Sequence, residues 1–425
     1  SQLREWVDRI YDFGYVAIDT ETTGLNDMRA DLVGISLCVE AGSAAYLPLK
    51  HRDGEADDLF GANTLVKGQM DIDEALAILK PTLEDTAILK IGQNMKYDAK
   101  ILARVGIKID PIDDTMLMSY VQNGGLHNHG MDFLSERYLG HVPIPIKTLL
   151  GTGKTAITFD SVPIDEATRY AAEDADITLR LWQHLKPQLH LKKVTNVYET
   201  LERPLVPVLV EMEMHGIKVD RDTLSQMSNG FAQKMASLEF EIHELAGRSF
   251  NLGSPKQLGE VLFDEMALPG GKKGKTGAYA PGVDVLEDLA TEHILPGLVL
   301  DWRQLSKLKS TYTDALQDHI HPETGRVHTS YSISGASTGR LSSTDPNLQN
   351  IPIRTEDGRK IRRAFVADPG KSLVALDYSQ IELRILAHIA DIESLKEAFS
   401  DGVDIHALTA SQMFDVPLNE MTPEV

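Results

Sequence analysis

The chain has 425 residues, 42 basic against 63 acidic side chains, and a formal net charge of −21. Its length allows two or three domains with substantial cores, and its acidic balance excludes a surface that grips nucleic acid everywhere, so any such contact has to be local and steeply salt-dependent. One cysteine, Cys38, excludes a disulfide framework and suits a reducing compartment; no apolar run is long enough to span a bilayer, and the first residues lack a signal-peptide pattern.

In chain order, Tyr15-Val16-Ala17-Ile18 is a short apolar run that predicts a buried strand. Alternation along a strand puts Asp19 and Glu21 on one face at its end, where both carboxylates can touch one ion. Asn94, Lys96 and Tyr97 lead into Ile101, Leu102 and Val105, which predicts a helix with Asp98 near its start. Ala171, Ala172, Ala175, Leu179 and Leu181 predict a helix on which Tyr170 and Asp174, four apart, project together. Taken singly, each aspartate is equally a cap, a turn former or part of a solvated helix face. Together the three segments supply four carboxylates and a phenol, a set able to hold two divalent cations against a phosphodiester and aim a water at it. All-oxygen ligands favour magnesium or manganese over zinc, and two such ions roughly 3.5 to 4 Å apart would activate the water and stabilise the leaving 3′ oxygen. His127 with His129, and His319 with His321, lack the further ligands of a zinc site. Gly151-Thr152-Gly153-Lys154-Thr155 has the ending of a phosphate-binding loop, but Thr148 stands where that pattern needs its first glycine, so no ATP site is expected.

Beyond residue 190, Leu201, Leu205, Val208, Leu209 and Met212 have helical spacing that ends near Gly216. Asp220 is placed to cap a long helix, and Ser254-Pro255 to start another over 256–263. Residues 270–282, GGKKGKTGAYAPG, predict a mobile basic loop at the tip of a helical hairpin. Residues 338–354, TGRLSSTDPNLQNIPIR, carry the donors Arg340, Asn347, Gln349 and Asn350; a basic cluster of Arg354, Arg359, Lys360, Arg362 and Arg363 follows. Polar loops of this kind also bond their own backbone. Leu373-Val374-Ala375-Leu376 predicts a second buried strand ending in a carboxylate, Asp377, and Ser379 with Glu382 has the spacing of a capping box.

These segments carry a resemblance. The motifs around Asp19, Asp98 and Tyr170 resemble those of the DEDD exonucleases, tyrosine subclass, as found in the proofreading domain of bacterial family A DNA polymerases, and residues 338–354 and 373–388 (LVALDYSQIELRILAH) resemble that family's minor-groove segment and its first palm motif. The resemblance implies an α/β architecture: a ribonuclease H-like exonuclease domain with a mixed central sheet over residues 1–190, then a partial polymerase domain over 191–425. The latter would comprise a helical thumb (about 196–320), a palm segment (321–392) and the start of the fingers (393–425). It implies that Asp19, Glu21 and Asp174 hold one metal ion, that Asp19 bridges to a second near Asp98, and that Tyr170 and Glu21 orient the attacking water. Leu25 would wedge against the terminal base, with a core leucine as its plain alternative. Lys272, Lys273 and Lys275 would grip duplex backbone, and Arg354 and its neighbours would contact phosphates. Arg340, Asn347, Gln349 and Asn350 would test base-pair shape at minor-groove acceptors. Asp377 would bind two magnesium ions with help from the Tyr378 carbonyl, and Glu382 would exclude a ribose 2′-hydroxyl.

The implied activities are DNA-directed DNA synthesis and 3′ to 5′ proofreading, with Mg2+ or Mn2+ as cofactor, primer-template and single-stranded 3′ ends as partners, and deoxynucleoside triphosphates as substrates of the intact enzyme. A monomer in the bacterial cytoplasm is expected, with no membrane association. The resemblance stops at Val425, before the fingers helix and the second palm carboxylate, and the chain opens on Ser1 without the 5′ nuclease domain that often precedes. These features predict an excised piece whose exonuclease is complete and whose polymerase is not, with exposed apolar surface near its C-terminus. Two other readings share the first three motifs: an RNA-processing DEDD exonuclease, which has no need of residues 338–388, and a catalytically silent scaffold, which has no need of four carboxylates.

Overall fold

The structure, a computed structural model, describes residues 2–52, 64–274, 277–279, 281–353 and 355–418. They form two compact units, Ser1–Val366 and Ala367–Val425. The first unit is built on a five-stranded sheet in the order β3-β2-β1-β4-β5. Its strands are β1 (Tyr15–Thr22), β2 (Leu32–Glu40), β3 (Ser43–Pro48), β4 (Leu89–Gly92) and β5 (Ile112–Asp114). Strand β2 runs antiparallel to its neighbours β1 and β3, while β4 and β5 run parallel to β1. The mixed central sheet is therefore as the sequence implied. Helices α1 (Gln2–Phe13), α2 (Ile72–Leu83), α3 (Met95–Arg104), α4 (Thr115–Asn123), α5 (Met131–Leu139), α6 (Ile146–Leu150) and α7 (Ile164–Leu191) surround it, with α7 lying across β1, β2 and β3. Covered on both sides, β2 is buried at every position but its last, so it reads as a continuous apolar run rather than an alternating one.

The core between sheet and helices includes Ile18, Ile35, Leu79, Leu102 and Leu181, and extends to Tyr198, Val206 and Leu209, beyond residue 190. Those three belong to α8 (Thr195–Val197) with the turn after it, and to α9 (Arg203–His215). Helix α9 ends where the sequence placed its stop, at Gly216, whose φ of 64° favours glycine. Asp220 caps α10 (Arg221–Ala246) by accepting from Asp222 N, and Ser254 caps α11 (Pro255–Gly259). Helices α12 (Val283–Ala290) and α13 (Ile294–Leu308) complete a helical body with its own core around Ile242, Leu258, Leu286 and Val299. A third core, with Leu224, Phe231, Tyr312, Val327 and Ile361, joins α10 to α14 (Ala315–Asp318), to the paired strands β6 (Ile217–Lys218) and β7 (Arg326–Val327), and to α15 (Glu356–Ile361). A hairpin of β8 (Ser330–Ser332) and β9 (Ser342–Thr344) lies between.

In the second unit, α16 (Ile381–Ile389), α17 (Glu393–Ser400) and α18 (Ile405–Phe414) pack through Ala387, Ala398 and Ile405. The strand expected over 373–376 does not form, and Leu376 is 91% exposed. A strand needs a neighbour for its amide and carbonyl groups, and among the described residues none pairs with this segment. The capping box fails as well. Helix α16 starts one residue later than Ser379 requires: its N-cap is Gln380, with φ 52°, and no side chain caps it. Among the described residues, no helix is long and apolar enough to cross a membrane.

Candidate active site

Asp19 and Glu21 leave β1 on the same face, and α7 crosses that face with Asp174. The three bring carboxylate oxygens within 4.8 Å of one another. Burial is the first cause that raises Asp19 and Asp174 from 3.8 to about 8; the Asp174 charge adds to the effect on Asp19, and Glu173 and Asp132 to that on Asp174. Glu21 is pushed well above the carboxylate range by burial and then by Asp19, Asp174 and Asp98. Among the described residues, the charges that act on Asp19 and Glu21 are those of neighbouring carboxylates. Glu21 Oε1 is buried without a hydrogen-bond partner, which folding tolerates only at a cost of roughly 1–3 kcal/mol or more for a charged group. A hard divalent cation meets all three demands: it neutralises the charge, takes oxygen ligands and partners the orphan atom. The donor set therefore fits such an ion.

Tyr170, one turn before Asp174 on α7, sets its hydroxyl beside that carboxylate. Burial, then Asp174 and Glu21, push the phenol upward, so it stays protonated and remains a donor. Behind Glu21, His51 Nδ1 donates to Val162 O at 2.9 Å, which leaves Nε2 to accept from Tyr46 Oη at 2.7 Å. Gly34, the cross-strand partner of Glu21, makes room for that phenol: a Cβ there would fall 2.2 Å from Tyr46 Oη.

Asp98 stands beside the cluster rather than within it. It sits in the first turn of α3, where Thr20 holds one of its oxygens with both N–H (2.9 Å) and hydroxyl (2.6 Å). Burial and then Asp19 raise it well above the usual range. The start of α3 is fixed by Asp114, which accepts from Asn94 N (3.1 Å) and Met95 N (2.9 Å) and also caps α4. Sequence reasoning missed Thr20, Asp114 and Tyr46, whose roles depend on contacts between separate elements; only Thr20, framed by two motif carboxylates, carried any local signal. The Thr22 and Tyr97 hydroxyls both donate to Gly24 O, at 2.9 and 2.7 Å. They fix the turn that presents Leu25, which at 96% exposed is not a core leucine.

Residues 1–190 match the model of the 3′-5′ exonuclease family, and residues 221–425 that of DNA polymerase family A. A solved structure, the POL domain of Pol1 from M. smegmatis in complex with DNA primer-template and dNTP, superposes on the whole chain. Its TM-score is 0.80 at 33% identity, and the chain covers 68% of it. The chain belongs to DNA polymerase family A. Among its family A relatives, DNA polymerase I of Rhizobium leguminosarum is 55% identical over 100% of the chain, and that of Pseudomonas aeruginosa 46% over 98%. The thermostable DNA polymerase I of Thermus aquaticus is 43% identical over 77% of the chain. The chain spans 42% and 45% of the first two relatives' lengths.

The family A motifs of the second half are more scattered than those of the carboxylate cluster. Asp377, Tyr378 and Glu382 are all exposed, in the second unit. In the first unit Asn347 accepts from Gln349 N at 3.0 Å, while Gln349 spans its own loop from Ser343 N (3.1 Å) to Leu341 O (3.1 Å). Both side chains thus shape the loop they sit in. The Asn350 carbonyl accepts from the Tyr312 hydroxyl, and Arg340 is exposed. Lys272 and Lys273 are exposed on a turn closed by a Lys273–Tyr279 bridge, with Lys273 Nζ 4.6 Å from the Tyr279 ring centre. Lys275 and Arg354 lie outside the described residues. The basic run is partly neutralised from within: Lys360 pairs with Glu356 (2.9 Å) and Asp357 (3.2 Å).

Proposed function

We propose that this chain carries a metal-dependent 3′ to 5′ exonuclease in residues 1–190, and that the whole protein is a DNA-directed DNA polymerase that uses it for proofreading. The observation that supports this most strongly is the Asp19–Glu21–Asp174 cluster, with its orphan Glu21 oxygen and the Tyr170 phenol beside Asp174. Asp19, Glu21 and Asp174 hold one divalent ion, and Asp19 with Asp98 a second, magnesium or manganese by donor chemistry. When bound, such ions act as Lewis acids and lower the pKa of water. Tyr170, held protonated, and Glu21 orient the water. Leu25 offers its exposed side chain to the terminal base. Hydrolysis forms the bond from water oxygen to phosphorus, breaks the bond to the 3′ oxygen and releases a nucleoside 5′-monophosphate.

Residues 191–425 contribute the polymerase part. Asp377 with the Tyr378 carbonyl serves as a metal ligand, Glu382 as the gate against ribose, Arg340, Asn347, Gln349 and Asn350 as minor-groove contacts, and Lys272, Lys273, Lys275 and Arg354 as backbone contacts. Deoxynucleoside triphosphates are the substrates of the intact enzyme, a monomer of the bacterial cytoplasm. The test is resection of 5′-labelled single-stranded DNA, with magnesium or EDTA, by the parent and by Asp98→Ala. Magnesium-dependent shortening that Asp98→Ala abolishes while DNA binding persists is the expected result. Binding without any shortening would replace this function with a silent scaffold.

A further inference from the structure

Helix α3 carries charge on both of its faces. Asp98 points toward Thr20 and the carboxylate cluster, whereas Lys96 and Lys100, four apart, share the opposite face and are both buried. Asp27, within the residues that match the exonuclease family, supplies part of their counter-charge, and the rest comes from outside them. Glu213, 1% exposed on α9, lies in the stretch between the two matched regions. Its Oε1 accepts from Lys96 Nζ (2.7 Å) and from Tyr331 N (2.7 Å), and its Oε2 from Lys96 Nζ (2.7 Å) and Lys100 Nζ. Lys96 also donates to Ser330 Oγ (3.2 Å), Lys100 pairs with Asp27, and the Glu213 carbonyl accepts from His328 Nδ1 (2.7 Å). Two buried ammonium groups on α3 are thus balanced by Glu213 and Asp27, and Glu213 is tied in turn to β8.

We propose that Glu213 is a positioning residue for the exonuclease centre: it sets the seat of α3 and, through that helix, the place of Asp98. This rests on the proposed role of Asp98 at a second ion. The lever is short. Asp98 lies two residues from each lysine on a rigid turn, and its bonds to Thr20 at 2.6 and 2.9 Å leave little slack. A misplacement of about 1 Å at a catalytic group costs on the order of a hundredfold in rate. A bystander role is also chemically available, since buried ion pairs often hold elements together without serving a reaction. Metal occupancy separates the two.

The experiment uses the full chain, with Glu213→Gln as the main variant and Lys100→Met as a milder one that keeps the Lys96–Glu213 pair. Manganese binding is followed by electron paramagnetic resonance, and single-turnover cleavage of a 3′-labelled single strand is followed across manganese concentrations. The parent is expected to bind manganese and cleave. E213Q should retain the tighter ion, need at least tenfold more manganese to fill the weaker site, cleave at least tenfold more slowly, and recover as manganese is raised. K100M should shift the same way by less, and it decides the matter if E213Q does not fold. Folded variants with parental manganese affinity and rate would overturn the positioning role alone. A parent that neither binds manganese nor cleaves would overturn the exonuclease reading and this inference with it.

Discussion

Two segments of this chain share one local design, an apolar run ending in an aspartate, and they meet different fates. Tyr15–Ile18 lies in the middle of a sheet, paired with β2 on one side and β4 on the other, and delivers Asp19 into a buried carboxylate cluster. Leu373–Leu376 pairs with no strand among the described residues, and its aspartate is exposed. The contrast teaches that apolar sequence offers a strand and distant partners decide whether it forms.

The largest effect that can break this comparison is on stability. Ile18→Ala, at a fully buried position, is expected to cost about 2–5 kcal/mol, while Leu376→Ala, 91% exposed, should stay within about 0.5 kcal/mol. Denaturant unfolding measures both, and equal costs would mean that 373–376 is packed in solution. Next comes Tyr170→Phe, which deletes the hydroxyl beside Asp174; cleavage of single-stranded DNA should fall roughly a hundredfold in kcat with little change in KM. A parental kcat would remove Tyr170 from the reaction.

The pH response is a third way to break the comparison. Asp19 and Asp174 are raised from 3.8 to about 8 by folding, so their contribution to stability is full below pH 4 and is lost as pH rises through 8. In EDTA the melting temperature should therefore fall from pH 5 to pH 8 more in the parent than in Asp19→Asn, and the upward shift given by manganese should grow over the same range. Equal pH slopes in the two proteins would place the burden elsewhere.

Much of the cluster was legible beforehand because it is local. Strand alternation joins Asp19 to Glu21, helical spacing joins Tyr170 to Asp174, and both hold in the structure. The groups that hold the cluster were not legible. Thr20 reaches Asp98 across 78 positions, and Glu213 reaches Lys96 across 117, and no periodicity encodes such pairings. Local rules also failed at α16, where the capping box around Ser379 is out of register by one residue, and at 373–376, where the missing element is a neighbour. In the segment 338–354, Asn347 and Gln349 bond their own loop, as a general polar turn would.

The most direct measurement is the anomalous manganese signal from crystals of this chain grown with Mn2+ and thymidine 5′-monophosphate. A peak bounded by the carboxylates of Asp19, Glu21 and Asp174, with the nucleotide phosphate against it and the Tyr170 hydroxyl facing that phosphate, is the predicted result. An ordered cluster with no peak, its carboxylates sharing protons instead, would contradict the account.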